Sequence, residues 1–134
     1  LYLFSKLWLR IKIIIDINMK IKLLKSKLHR AKVTDANLDY EGSISIDSKL
    51  MKKVGLNNYE KVHVLNLTNG SRLETYVIPD DPGSKSICIN GAAAHLVHPE
   101  DRVIILSYCS LDATNISHHI PRVARLNEHN DVVG

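Results

Sequence analysis

Cysteine is scarce in this chain: two in 134 residues, Cys88 and Cys109. They have no metal-type spacing and no near partner, which excludes a disulfide scaffold. Both read as small buried hydrophobes of a protein kept in a reducing compartment. Aromatic residues are only 5%, with one Phe and one Trp, so a stacking platform for single-stranded nucleic acid is not expected. No uninterrupted apolar run exceeds four residues, far short of the ~20 that a membrane-spanning helix needs. An apolar stretch leading to a small-residue cleavage site is also missing, so no secretory signal is expected. Asn90-Gly91-Ala92 holds a single glycine, which excludes a glycine-rich phosphate loop, and no G-x-S-x-G nucleophile elbow occurs. The His95/His98 and His118/His119 pairs have no acidic or thiol partner at ligand spacing, so no metal site is expected.

What is present is an ordinary globular balance, 45% apolar and 24% charged. That balance excludes a disordered or collagen-like chain, and the length suits one domain that buries roughly two-thirds of its unfolded surface. Charge is unevenly spread. Residues 1–32 carry nine Lys or Arg against one acid, Asp16, for a net of +8. Residues 33–134 carry nine against thirteen acids, for a net of −4, which leaves the whole chain at +4. A basic N-terminal segment suits an anionic partner, but a folded basic surface for DNA is not indicated. Residues 1–18 mix apolar residues with Lys6, Arg10 and Lys12, a composition open to a basic surface helix. Met19 opens an alternative start. Residues 1–18 are therefore expected to be an extension, a product of start-site choice, outside a single domain at 19–134.

The local patterns predict a mainly β fold. Residues 20–33 read as one or two strands, residues 34–41 as turns, and residues 43–46 as a short strand. Asp47 reads as the N-cap of a two-turn helix over Ser48–Val54, with Gly55 just past its end. Residues 60–67 and 72–78 read as a hairpin around Asn69-Gly70, ended by Pro79 and Pro82. A strand over 86–90, a short helix from Gly91 and a buried strand over 102–108 follow, and the tail from Asp112 is polar and weakly patterned. A faint repeat is visible: residues 60–65 (EKVHVL) align with 101–106 (DRVIIL) at an offset of 41, and the same shift carries Ser48–Val54 onto residues 89–95. Two similar strand–helix–strand halves predict a small pseudo-symmetric barrel.

Four short pieces stand out beyond this pattern: Lys27-Leu28-His29-Arg30; Tyr40-Glu41-Gly42-Ser43; residues 68–76 (TNGSRLETY); and residues 89–95 (INGAAAH). Singly each has an ordinary reading as a turn, a solvated charge or a helix start. Together and in this order they resemble the aspartate 1-decarboxylase family, over residues 19 to about 119. The resemblance implies a double-psi β-barrel with short helices and a cytoplasmic homotetramer with active sites between subunits. It also implies pyruvoyl-dependent conversion of L-aspartate to β-alanine and CO2 for pantothenate and coenzyme A synthesis.

The family is made as a zymogen that cuts itself at a Gly-Ser bond, here Gly42-Ser43, giving a β chain of 1–42 and an α chain of 43–134. Thr75 and Asn90 match positions that assist this cleavage. Ser43 is then the precursor of a covalent pyruvoyl group that forms a Schiff base with the substrate in place of pyridoxal phosphate, with no metal. Tyr76 matches the proton donor. Lys27 and Arg72 match cationic positions that hold carboxylate, and Thr75, Gly91, Ala92 and Ala93 complete the substrate pocket. A maturation factor belongs with such a zymogen, whereas nucleic acid and membrane do not. In an ideal strand Arg72 and Tyr76 share a face and Thr75 points away, so its role needs a twist, a bulge or a strand end. The competing reading is a non-enzymatic barrel that binds nucleic acid through the basic N-terminus.

Overall fold

In the segment KIKLLKSKLHRAK the apolar residues change phase twice, and the backbone changes phase with them. A computed structural model describes residues 2–134, and the side chains of all of these except residues 15–17. The segment forms one long strand, β1 (Lys20–Lys32), antiparallel to β7 (Arg102–Asp112). Its register slips between Leu24 and Ser26 and again between Leu28 and Ala31, where Arg30 sits at φ +64°. Each slip inserts one residue and moves the inward face by one position, so that Ser26, Leu28 and Ala31 all become buried.

After β1 the chain forms β2 (Asp35–Asn37), β3 (Ser43–Asp47), helix α2 (Ser48–Val54), β4 (Lys61–Asn66), β5 (Arg72–Asp80) and β6 (Ile87–Asn90). A 3-10 turn at Gly91–His95 leads to β7, and a second one at Ala113–His118 leads to β8 (Arg122–Arg125). Ahead of them all lies helix α1 (Tyr2–Asn18). The strands make one mixed sheet in the order β2-β6-β3-β5-β4-β7-β1-β8. The sheet curls on itself in a barrel-like way. Leu28 of β1, Ile44 and Ile46 of β3, Val62 and Val64 of β4, Ile87 and Ile89 of β6 and Ile105 of β7 share one core. Val33 and Thr34 tie the end of β1 to Asp101 and to Ile87 of β6.

The 41-residue offset of the sequence is also the register of the fold. Ile46 pairs with Ile87 in the antiparallel β3–β6 ladder, and Val64 pairs with Ile105 in the antiparallel β4–β7 ladder. Both pairs are 41 apart, so a local two-fold passes through each and relates β3-α2-β4 to β6-turn-β7.

Local chemistry explains the helix. The Asp47 carboxylate accepts from the amides of Lys49 (2.8 Å), Gly83 (2.9 Å) and Lys85 (2.8 Å). Gly55 ends the helix at φ +75°, a left-handed value that suits glycine. Burial pushes the Asp47 carboxyl up, but the three amides outweigh it and hold the group below its ordinary value.

Three expectations need correction. Pro79 does not end the hairpin: β5 continues through it to Asp80, pairing with β3. The amide of Val77 points toward β4, to the carbonyl of Glu60, so position 79 faces the same side beyond the start of β4, where no donor is needed. Residues 35–37 are a strand rather than a turn, because β6 offers them a parallel edge. The buried strand runs four residues longer, to Asp112, alongside the outer part of β1. The weakly patterned tail adds one more strand: β8 lies parallel to β1, and Arg122 donates to the carbonyls of Lys52 and Lys53 at the end of α2.

Among the described residues no helix is long and apolar enough to cross a membrane. The N-terminal basic charge is partly matched, since Lys20, Lys25 and Lys32 of β1 pair with Asp112, Glu60 and Glu100.

Candidate active site

Two consecutive residues at the start of β3 take positive φ: Gly42 at +103° and Ser43 at +105°. Glycine adopts this region freely, but serine carries a Cβ and is strained there, by about 1–3 kcal/mol. Ser43 is 1% exposed and lies opposite Asn90 in the β3–β6 ladder. Asn90 donates from Nδ2 to Ser43 Oγ and to Ser45 Oγ, each at 3.0 Å, and its Oδ1 accepts from Cys88 Sγ at 3.3 Å. Asn90 stands where an N-cap residue would, ahead of the 3-10 turn, yet its side chain makes no capping bond.

The next residue closes the backbone of this turn. Gly91 has φ +70°, and a Cβ on it would meet Gly42 N at 2.7 Å, Gly42 Cα at 2.8 Å and the Tyr40 carbonyl oxygen at 2.9 Å. No side chain fits there. The Tyr40-Glu41-Gly42-Ser43 and Asn90-Gly91 pieces, 47 residues apart from Ser43 to Asn90, are thus in contact.

Tyr76 reaches the same place from β5. A cavity of about 390 Å³ is lined by Tyr40, Glu41, Ser43, Tyr59, Tyr76 and Pro79, among others. The Tyr76 ring is 39% exposed and lies 6.2 Å, centroid to centroid, from Tyr59, whose φ is +67°. The strand pairings deliver this convergence. Ile44 pairs with Val77, which sets Tyr76 beside the first residue of β3.

The remaining candidates lie elsewhere. The β4–β5 register is unbroken from Leu65↔Arg72 to Lys61↔Tyr76. Arg72, Glu74 and Tyr76 therefore share the exposed face, and Thr75 points to the other side, opposite Val62. No bulge turns Thr75 toward Ser43. Arg72 sits at the far start of β5. Lys27 lies on β1 opposite Leu106, with β4 and β7 between its strand and β5. Measured along the curled sheet, those three steps amount to about 14 Å. Ala92 is exposed and Ala93 half-buried on the 3-10 turn that follows Gly91.

Sequence reasoning missed Cys88, Ser45 and Tyr59. The two cysteines, read as buried hydrophobes, are both half-buried, and Cys88 is a hydrogen-bond donor to Asn90. The missed signal was the period of two: Cys88 precedes Asn90 by two residues and Ser45 follows Ser43 by two, so all four share one face. Tyr59 carries no such signal, because a turn outside the ladder brings it in.

A family model for aspartate decarboxylase matches residues 19–133. Several curated proteins are also similar. The aspartate 1-decarboxylase of Clostridium kluyveri is 51% identical over 114 residues, covering 85% of this chain and 90% of that protein. That of Caldicellulosiruptor bescii is 51% identical over 115 residues, 86% of this chain and 90% of the other. That of Salinibacter ruber is 50% identical over 114 residues, 85% and 78%.

Proposed function

The chain belongs to the aspartate decarboxylase family, and on that premise we propose that it cuts itself between Gly42 and Ser43 and then converts L-aspartate to β-alanine and CO2. The observation that carries this reading is the strained Ser43, at φ +105°, with its Oγ anchored by Asn90 and its preceding turn pressed onto Gly91.

The chemistry follows from that arrangement. Ser43 Oγ attacks the carbonyl carbon of Gly42, the C–N bond breaks, and the amide becomes an ester with a free amine on Ser43. Holding Oγ beside its own carbonyl makes the step intramolecular and raises its effective concentration. Loss of the Ser43 Cα proton and of the Gly42 carboxylate leaves an alkene, and one water then releases ammonia. The products are a chain of residues 1–42 with a normal carboxyl end and a chain of residues 43–134 that begins with a pyruvoyl ketone. The strain at Ser43 is relieved in the process, and the Asn90 Nδ2–H faces Oγ, which takes on charge as its proton leaves and again as it departs with the Gly42 carboxylate.

The pyruvoyl group, once formed, supplies the electron sink for decarboxylation, without pyridoxal phosphate or metal. The residues around it fit such a group: a small polar plate of Ser45 and Asn90, a backbone cradle at Gly91 and an open cavity beside it. The Tyr76 hydroxyl, in that cavity, is the proton donor to the carbon that loses CO2. Lys27 and Arg72 bind carboxylates. Because they stand away from Ser43 in one copy, the reading assigns them to a site shared between neighbouring copies in a cytoplasmic homotetramer. Ala92 and Ala93 line the pocket, and Thr75 assists cleavage through a neighbouring copy or a shift of β5.

Purified protein incubated with L-aspartate is expected to form β-alanine, measured by chromatography, and Ser43→Ala is expected to form none. Added maturation factors from a lysate are expected to change the rate of activation and not the product. A Ser43→Ala protein that still makes β-alanine overturns the reading.

A further inference from the structure

We infer that Cys88 is a positioning residue for self-cleavage: its S–H donor fixes which end of the Asn90 amide faces Ser43. The inference rests on the proposed cleavage at Gly42-Ser43. It concerns a side chain that none of the four signature pieces contains.

Ser43, Ser45, Cys88 and Asn90 form two adjacent cross-strand pairs, Ser43↔Asn90 and Ser45↔Cys88, on one face of the β3–β6 ladder. An amide side chain fits its site in two orientations that exchange Oδ1 and Nδ2. The two serine hydroxyls do not choose between them, because a hydroxyl accepts from Nδ2 or donates to Oδ1 equally well. The thiol does choose. Its one proton has two acceptors in range, Asn90 Oδ1 at 3.3 Å and the Ile89 carbonyl at 3.9 Å, and the nearer is Asn90. Sulfur is a poor acceptor, so an NH2 turned toward it would lose a partner. With Oδ1 held by sulfur, Nδ2 faces Ser43 and Ser45 at 3.0 Å each.

The orientation matters for the reaction. An N–H aimed at Oγ stabilises the negative charge that grows as the hydroxyl proton leaves, whereas a carbonyl oxygen aimed there opposes it. The thiol also stays a donor at neutral pH. Burial pushes its pKa up, and the carboxylates of Asp35 and Asp80 push it further. Asn90 is 4% exposed, so its amide relies on protein partners for its orientation.

The test compares Cys88→Ser, which keeps a donor, with Cys88→Ala and Cys88→Val, which do not. Val is close to Cys in volume and serves where Ala loosens β6. Cleavage is followed by intact mass in full-length protein sampled over time from induction, with Ser43→Ala as the uncut control and the melting temperature as a check on folding. Cys88→Ser is expected to cut within about threefold of the parent rate. Ala and Val are expected to be slower by at least tenfold at an unchanged melting temperature. Ala and Val cutting as fast as the parent, or Ser as slow as they are, overturns the inference while leaving the cleavage reading intact. A parent chain that stays whole overturns both.

Discussion

Asp47 and Asn90 each end a strand and open a short helix, and their side chains do opposite things. Asp47 turns to its own helix, accepting from the Lys49 amide and from two amides of the 83–85 loop. Asn90 leaves its own 3-10 turn uncapped and reaches across the ladder to Ser43 and Ser45. The first half of the pseudo-repeat caps its own helix, and that helix is regular. The second half gives up a local stabilising bond, and its helix is a single tight 3-10 stretch. Local rules are broken where a side chain is needed for something other than folding. The same contrast runs through the glycines. Gly55 ends a helix in the usual way, while Gly91 makes room for the backbone of Gly42.

The largest expected break in this comparison comes from Asn90→Asp. The change keeps size and removes the donor, placing a negative oxygen where charge must grow. Cleavage measured by intact mass is expected to slow by about 100- to 1,000-fold, with little change in melting temperature. The mirror substitution, Asp47→Ala, is expected to leave the cleavage chemistry alone. It removes a charged acceptor from three amides and is expected to cost about 3 kcal/mol in chemical denaturation. An Asp47→Ala protein of full stability, or one that folds but fails to cut, contradicts the division of labour. Tyr76→Phe sharpens it from a third side. The variant is expected to cut normally and to turn over L-aspartate roughly 100-fold more slowly; a defect in cleavage instead would move Tyr76 to the earlier step.

The smallest effect is with pH. The folded pKa of Asp47 lies below its unfolded value of about 3.9, so its contribution is complete above that value. It is lost as pH falls through the folded value. Stability is therefore expected to be flat with respect to this group above pH 5 and to fall below about pH 4. Asp47→Asn is expected to shallow that fall, as read by denaturation midpoints across the range.

What the sequence revealed follows the reach of the interactions. The Asp47 cap, the Ser48–Val54 helix and its terminal Gly55 were legible because their bonds join residues within eight positions of one another. The β4–β5 hairpin was legible from Asn69-Gly70, although its loop is longer than the tightest kind: Asn66 and Ser71 close it, with Gly70 at φ +78°. Pro79 misled because its tolerance depends on where β4 starts, eighteen residues earlier. β8 (RVAR) buries only Ala124 and shows no period, so its place beside β1 is decided by Arg122 and the end of α2. In the candidate site, the family pieces named Gly42, Ser43, Tyr76, Asn90 and Gly91, which the fold brings together. They also named Lys27, Arg72 and Thr75, which it does not. A strand pattern gives the face a residue takes and not which other strands the closed sheet brings beside it.

Cleavage and decarboxylation both depend on the Gly42–Ser43 bond. Intact mass spectrometry of the purified, undigested protein reads it directly. Two species are expected, residues 1–42 and residues 43–134, the second lighter than its serine form and blocked at its N-terminus by the pyruvoyl ketone. A single uncut mass in protein that converts L-aspartate, or a second fragment beginning with ordinary serine in protein that does so, would contradict it.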